Sequence, residues 1–113
     1  MANNFSNDLN CKALWKLNNG ALTVDSKGTN TLTDNNTVGT DTVNLKEGDA
    51  SADFTAINSE YLSITDANLN SGYPLRSDDT NKIISVCTWF RLKSLPALDN
   101  AMVVYSKYNS TNN

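Results

Sequence analysis

The run Ile83-Ile84-Ser85-Val86-Cys87-Thr88-Trp89-Phe90-Arg91-Leu92 constrains this chain more than any other stretch. Most of it is β-branched or aromatic and none of it is Gly or Pro, so it favours extended backbone. Alternate residues of a strand face opposite ways. Ile84, Val86, Thr88, Phe90 and Leu92 then share one face, and Ile83, Ser85, Cys87, Trp89 and Arg91 the other. Both faces carry bulk. Such a strand belongs in the interior of a sheet, with neighbours on each side and a second layer packed over it. Asp78, Asp79 and Asn81 signal a turn before it, and Pro96 ends it.

The rest of the chain reads as short strands separated by turn signals. Residues 11–17 form a first strand, and Asn18-Asn19-Gly20 supplies residues that tolerate positive φ. A short strand over 21–24 runs into a second tight turn, Asp25-Ser26-Lys27-Gly28. Leu32 and Val38 anchor weak strands, and 43–49 is a polar connection with Lys46-Glu47-Gly48-Asp49 at its tip. Strands follow over 50–54 and 61–65. A polar loop with room for one helical turn covers 66–80, and the last strand spans 102–108. The expected fold class is all-β: an antiparallel β-sandwich, or jelly roll, over residues 11–108. A flexible polar arm, 1–10, precedes it and a polar tail, 109–113, follows. At 113 residues this is one domain with a modest core.

Several function classes lose their chemistry at this stage. The chain has no His, which removes Ser/His/Asp and Cys/His catalysis from its own residues. The two cysteines, Cys11 and Cys87, are far apart; they read as small apolar residues or as one disulfide, and not as a metal pair. Net charge is −3 with Lys and Arg dispersed, so nucleic acid is not an expected partner. No segment is long and apolar enough to insert in a membrane. The first residues, Met-Ala-Asn-Asn-Phe, carry no signal-peptide pattern. Localisation is left open, with export by another route or incorporation into a particle both compatible. Asp78-Asp79 reads as turn or capping chemistry, because neighbouring side chains diverge in extended backbone. Asp66-x-Asn68-x-Asn70-x-Gly72 is close to a calcium loop, but the Gly falls one position late and no Glu closes it.

Taken in order, five motifs resemble the N-terminal part of a laminin-G-like, concanavalin A-like jelly roll of the lectin/glucanase superfamily. They are Ala13-Leu14-Trp15; Asp25-Ser26-Lys27-Gly28; Ala50-Ser51-Ala52-Asp53-Phe54 followed by Tyr61-Leu62-Ser63-Ile64; Ile84 to Arg91; and Val103-Val104-Tyr105-Ser106-Lys107. The family's domain continues past the last of these and pairs its later strands with the first. The resemblance therefore implies either a fragment or a sandwich completed by a second copy or a partner chain.

The resemblance also implies what a site would look like. Relatives hold calcium with the Asp of the Asp-x-x-Gly turn, which matches Asp25 here, with Asn30 as a neighbour. The same residues read locally as an Asx-turn. Sugar binding would use exposed aromatics, for which Tyr73, Tyr105 and Tyr108 are the candidates, while Trp15 and Trp89 read as core. Glu47-Gly48-Asp49 begins the glucanase carboxylate motif, but the second Glu is absent, so no enzyme is expected. The implied role is a non-catalytic carbohydrate- or cell-surface-binding module. The alternatives are an assembly subunit of a phage or bacterial surface particle completed by strand pairing, and a glycosidase fragment. Implied partners are a glycan or surface polymer, self-association, or a partner chain.

Overall fold

The computed structural model of the chain describes residues 5–108. The proposed tail, 109–113, and the first four residues of the proposed arm lie outside the described residues. The remainder of the arm holds a turn of 3-10 helix, Phe5–Asn7, and Lys27 Nζ donates to Ser6 O at 2.7 Å.

Among the described residues four strands of three residues each form two separate antiparallel pairs. They are β1 (Thr33–Asn35), β2 (Gly39–Asp41), β3 (Ser51–Asp53) and β4 (Tyr61–Ser63). β1 pairs with β4, setting Thr33 opposite Ser63 and Asn35 opposite Tyr61; β2 pairs with β3, setting Gly39 opposite Asp53 and Asp41 opposite Ser51. The pairs are nested, so 33–63 amounts to one antiparallel ribbon, broken where 36–38 on one side faces 54–60 on the other. Asn36 and Thr37 are both left-handed at the break (φ 65° and 64°). Side chains lock the interruption: Asp34 Oδ1 accepts from Val38 N at 2.9 Å, Asn36 Nδ2 donates to Ser59 O at 2.8 Å, and Glu60 Oε2 accepts from Thr55 N at 2.7 Å. A second 3-10 turn, Ala56–Asn58, fills the wide side.

The sandwich expectation is therefore corrected. Among the described residues neither strand pair extends to a third strand and no second layer of sheet lies over either, and the jelly-roll and lectin-like assignments are overturned. The decisive departure is at residues 83–92, which join no strand. Across 83–108 only Ile84 is more than superficially covered; Trp89 is 76% and Phe90 66% exposed. Backbone-to-backbone hydrogen bonding in this stretch, among the described residues, is limited to Asn100 N on Ala97 O. The physical reason is breadth: β propensity expresses itself against neighbouring strands and a packed face, and three-residue pairs offer neither. The first strand expected over 11–17 and the short one over 21–24 also reduce to isolated bridges, Trp15 with Asp25 and Asn18 with Ala21.

The interior is correspondingly small and polar. Among the described residues the buried apolar ones are Val38, Ala50, Leu69 and Tyr73, and the largest fully buried side chain is Asn30. Accessible surface is 8869 Å², against roughly 6,100 Å² for a compact monomer of this mass. The Cα radius of gyration is 15.0 Å, where a compact domain of this length gives about 13 Å.

Candidate functional site

Among the described residues a densely bonded centre grows from the turn at Asp25. As in any Asx-turn, its carboxylate reaches forward along its own backbone, so that Oδ1 accepts from Lys27 N at 2.9 Å. The same oxygen accepts from Leu14 N at 2.9 Å, while Oδ2 accepts from Asn30 N at 3.2 Å and Asn30 Nδ2 at 2.8 Å. Asn30 then ties two distant segments, 12–15 and the stretch at Asn70, to its own turn. Its Nδ2 also donates to Lys12 O at 3.3 Å, its Oδ1 accepts from Asn70 N at 2.8 Å, and its carbonyl accepts from Trp15 Nε1 at 2.7 Å. Thr29 Oγ1 closes the ring on Asn70 Oδ1 at 2.6 Å. Burial pushes the Asp25 carboxyl up, but the N–H donors of Leu14, Lys27, Asn30 and Gly28 outweigh it and hold it below the usual carboxylate value.

Gly28 permits this packing. A methyl there would stand 2.9 Å from Asn70 Nδ2 and 3.0 Å from Asp25 Oδ2. An open cleft of about 190 Å³ borders the centre, lined among others by Cys11, Lys12, Lys27, Gly28, Asn70 and Tyr73. Tyr73 is buried, and burial, the nearby Tyr105 and the negative charge of Asp25 push its phenol up to about 12.

Of the residues singled out from sequence, Asp25, Asn30, Tyr73 and Tyr105 thus come together. Tyr108 does not. It lines a separate cleft of about 370 Å³ with Asp66, Leu75, Arg76, Ser77, Lys82 and Lys107. There Lys107 Nζ pairs with Asp66 Oδ1 at 2.5 Å, and that pairing, with Ser77, holds the Asp66 carboxyl far below its ordinary value. Tyr73 is enclosed rather than presented for stacking, whereas Tyr105 and Tyr108 are exposed.

The calcium set meets a physical difficulty. Four N–H donors already occupy the Asp25 oxygens and the Asn30 side-chain oxygen is taken by Asn70 N, so an ion seeking six or more oxygens would have to displace them. Among the described residues no group of three or more His, Cys, Asp or Glu could hold a metal. Cys11 and Cys87 are both free thiols. Asp79 makes a turn clasp, accepting from Leu75, Asn81 and Lys82 amides, and Asp78 pairs with Arg76 at 2.7 Å. Asp49 of the Glu47-Gly48-Asp49 tip accepts from Asn19 N at 3.0 Å.

Sequence reasoning missed Asn70 as a member of the centre, and missed that the apolar segment would lie uncovered. Asn70 had a faint signal in its Asp66-x-Asn68-x-Asn70 spacing; Asn30 was singled out beside Asp25, but its pairing with Asn70, forty residues away, had no signal. No protein-family model matches the chain, and neither a curated protein nor a solved structure does. The carbohydrate-binding and surface-particle roles rested on the lectin-like sandwich, and they fall with it.

Proposed function

We propose that this chain acts by association with another protein chain, through the extended apolar segment 83–108, and not by catalysis. The observation that carries the reading is the exposure of that segment: Ile83, Val86, Trp89, Phe90, Leu92, Leu95, Leu98, Met102, Val103 and Val104 all face solvent. Soluble monomers seldom expose contiguous apolar surface beyond a few hundred Å², and larger areas mark contact surfaces. Aromatic and Arg side chains such as Trp89, Phe90 and Arg91 are the types that concentrate binding energy. Unpaired amides and carbonyls along the same stretch add hydrogen-bonding capacity for a partner.

Amide hydrogen exchange on the full chain tests this. At high dilution the amides of 83–96 exchange at nearly unprotected rates, and they gain protection as protein or partner concentration rises. Strong protection that is independent of concentration would mean the segment packs on its own body, and would overturn the reading.

A further inference from the structure

We propose that the occupant of this surface is a second copy of the same chain, and that two copies exchange segment 83–108 reciprocally, each laying it on the other's body. The inference rests on the association reading above and names its partner.

Charge is the first argument. Segment 83–108 carries Arg91, Lys93 and Lys107 against Asp99, a net +2, which leaves the remainder of the chain at −5. A basic apolar strip and an acidic body are complementary, and two copies supply both. The acidic receivers are already in use: Lys93 Nζ sits 2.5 and 2.6 Å from the Asp53 oxygens and Lys107 Nζ 2.5 Å from Asp66 Oδ1. Lys46 lies over the Trp89 ring at 4.9 Å. Together with Tyr105 beside Tyr73, these are long-range contacts through which the segment touches its own body.

The second argument is how little holds the segment in place. Surface ion pairs are weak and screened by salt, so the cis arrangement opens at small cost. The junction is well defined. Asp79 clasps the amides of Leu75, Asn81 and Lys82, and Lys82 is left-handed (φ 54°). Beyond Lys82, among the described residues, the backbone makes no hydrogen bond to the body, and the ties that remain run through side chains. In an exchanged pair every one of these tethers forms again in trans, on Asp53, Asp66, Lys46 and Tyr73 of the other copy. The apolar faces of two segments, brought side by side, then cover one another. Exchange of an identical element is a low-cost route to a dimer because the tethers themselves cancel between the two states.

That cancellation makes the test specific. Two full-length variants are made, K93E/K107E and D53K/D66K, with one copy carrying a mass tag, and light scattering after chromatography reads the species formed. In each variant alone, segment and body repel, in cis and in trans alike. When the two are mixed, only the heterodimer restores all four ion pairs, so it is expected in about tenfold or greater excess over either homodimer. The excess should shrink as salt is raised.

A statistical mixture of dimers would overturn the exchange while leaving association through the segment standing. A wild-type chain that stays monomeric at all concentrations, and is unchanged by W89E/F90E, would overturn both.

Discussion

Asp25 carries more of this fold than any apolar side chain. Its carboxylate satisfies amides from Leu14, Lys27 and Asn30 and the Asn30 side chain, and it is itself 7% exposed. Asp25→Ala strands those donors in a buried site, and denaturant unfolding should show a loss of about 3 kcal/mol. The pH dependence has a definite sign. Because the folded carboxyl lies below its ordinary value, its stabilisation is present above about pH 4 and is lost as pH falls through the folded value. Asp25→Asn should flatten that acid limb. Tyr73 has the opposite sense: its phenol, raised to about 12, favours the folded state below about pH 10 and loses that advantage as pH rises. Near-ultraviolet absorbance titration should show a late tyrosine step that is lost in Tyr73→Phe. Added calcium should leave the melting temperature unchanged, since the Asp25 oxygens are already taken.

The elements are short and are held by side chains as much as by ladders. Asn35 Nδ2 stands within hydrogen-bond distance of Thr33 O on its own strand and of Tyr61 O and Ser63 Oγ on β4, sharing its two hydrogens among them. Asn35→Ala should therefore cost about 1 kcal/mol, measured by chemical denaturation. At the ribbon break, Thr37 is a β-branched residue in left-handed backbone. Thr37→Asn relieves that conformation and should raise stability by about 0.5–1 kcal/mol. Much at this scale was legible: β3 and β4 lie within the strands expected over 50–54 and 61–65, the turn at Gly20 is left-handed, and a 3-10 turn occupies Asp66–Asn68. Each of these depends on residues close in sequence. The strands expected over 83–92 and 102–108 did not form, because a strand's pattern states what it could pair with and cannot supply the partner.

For the whole molecule, the two tryptophans report its two parts. Trp15 donates to Asn30 O within the polar centre, while Trp89 is open to solvent. In dilute protein, iodide should quench the emission of a W15F variant strongly and that of a W89F variant weakly; association through the segment should shift the W15F spectrum to shorter wavelength. The sequence by itself determined the turn at Gly20, the strands β3 and β4, the absence of His and the two-faced apolar character of 83–92, because all of these are written in neighbouring residues. Only the tertiary structure decided that the centre is the hydrogen-bonded Asp25–Asn30 pair, reached by Lys12, Leu14, Trp15 and Asn70, and that the apolar run lies outside it. Hydrogen bonds between residues tens of positions apart depend on where the chain returns to itself, and local preference does not encode that return.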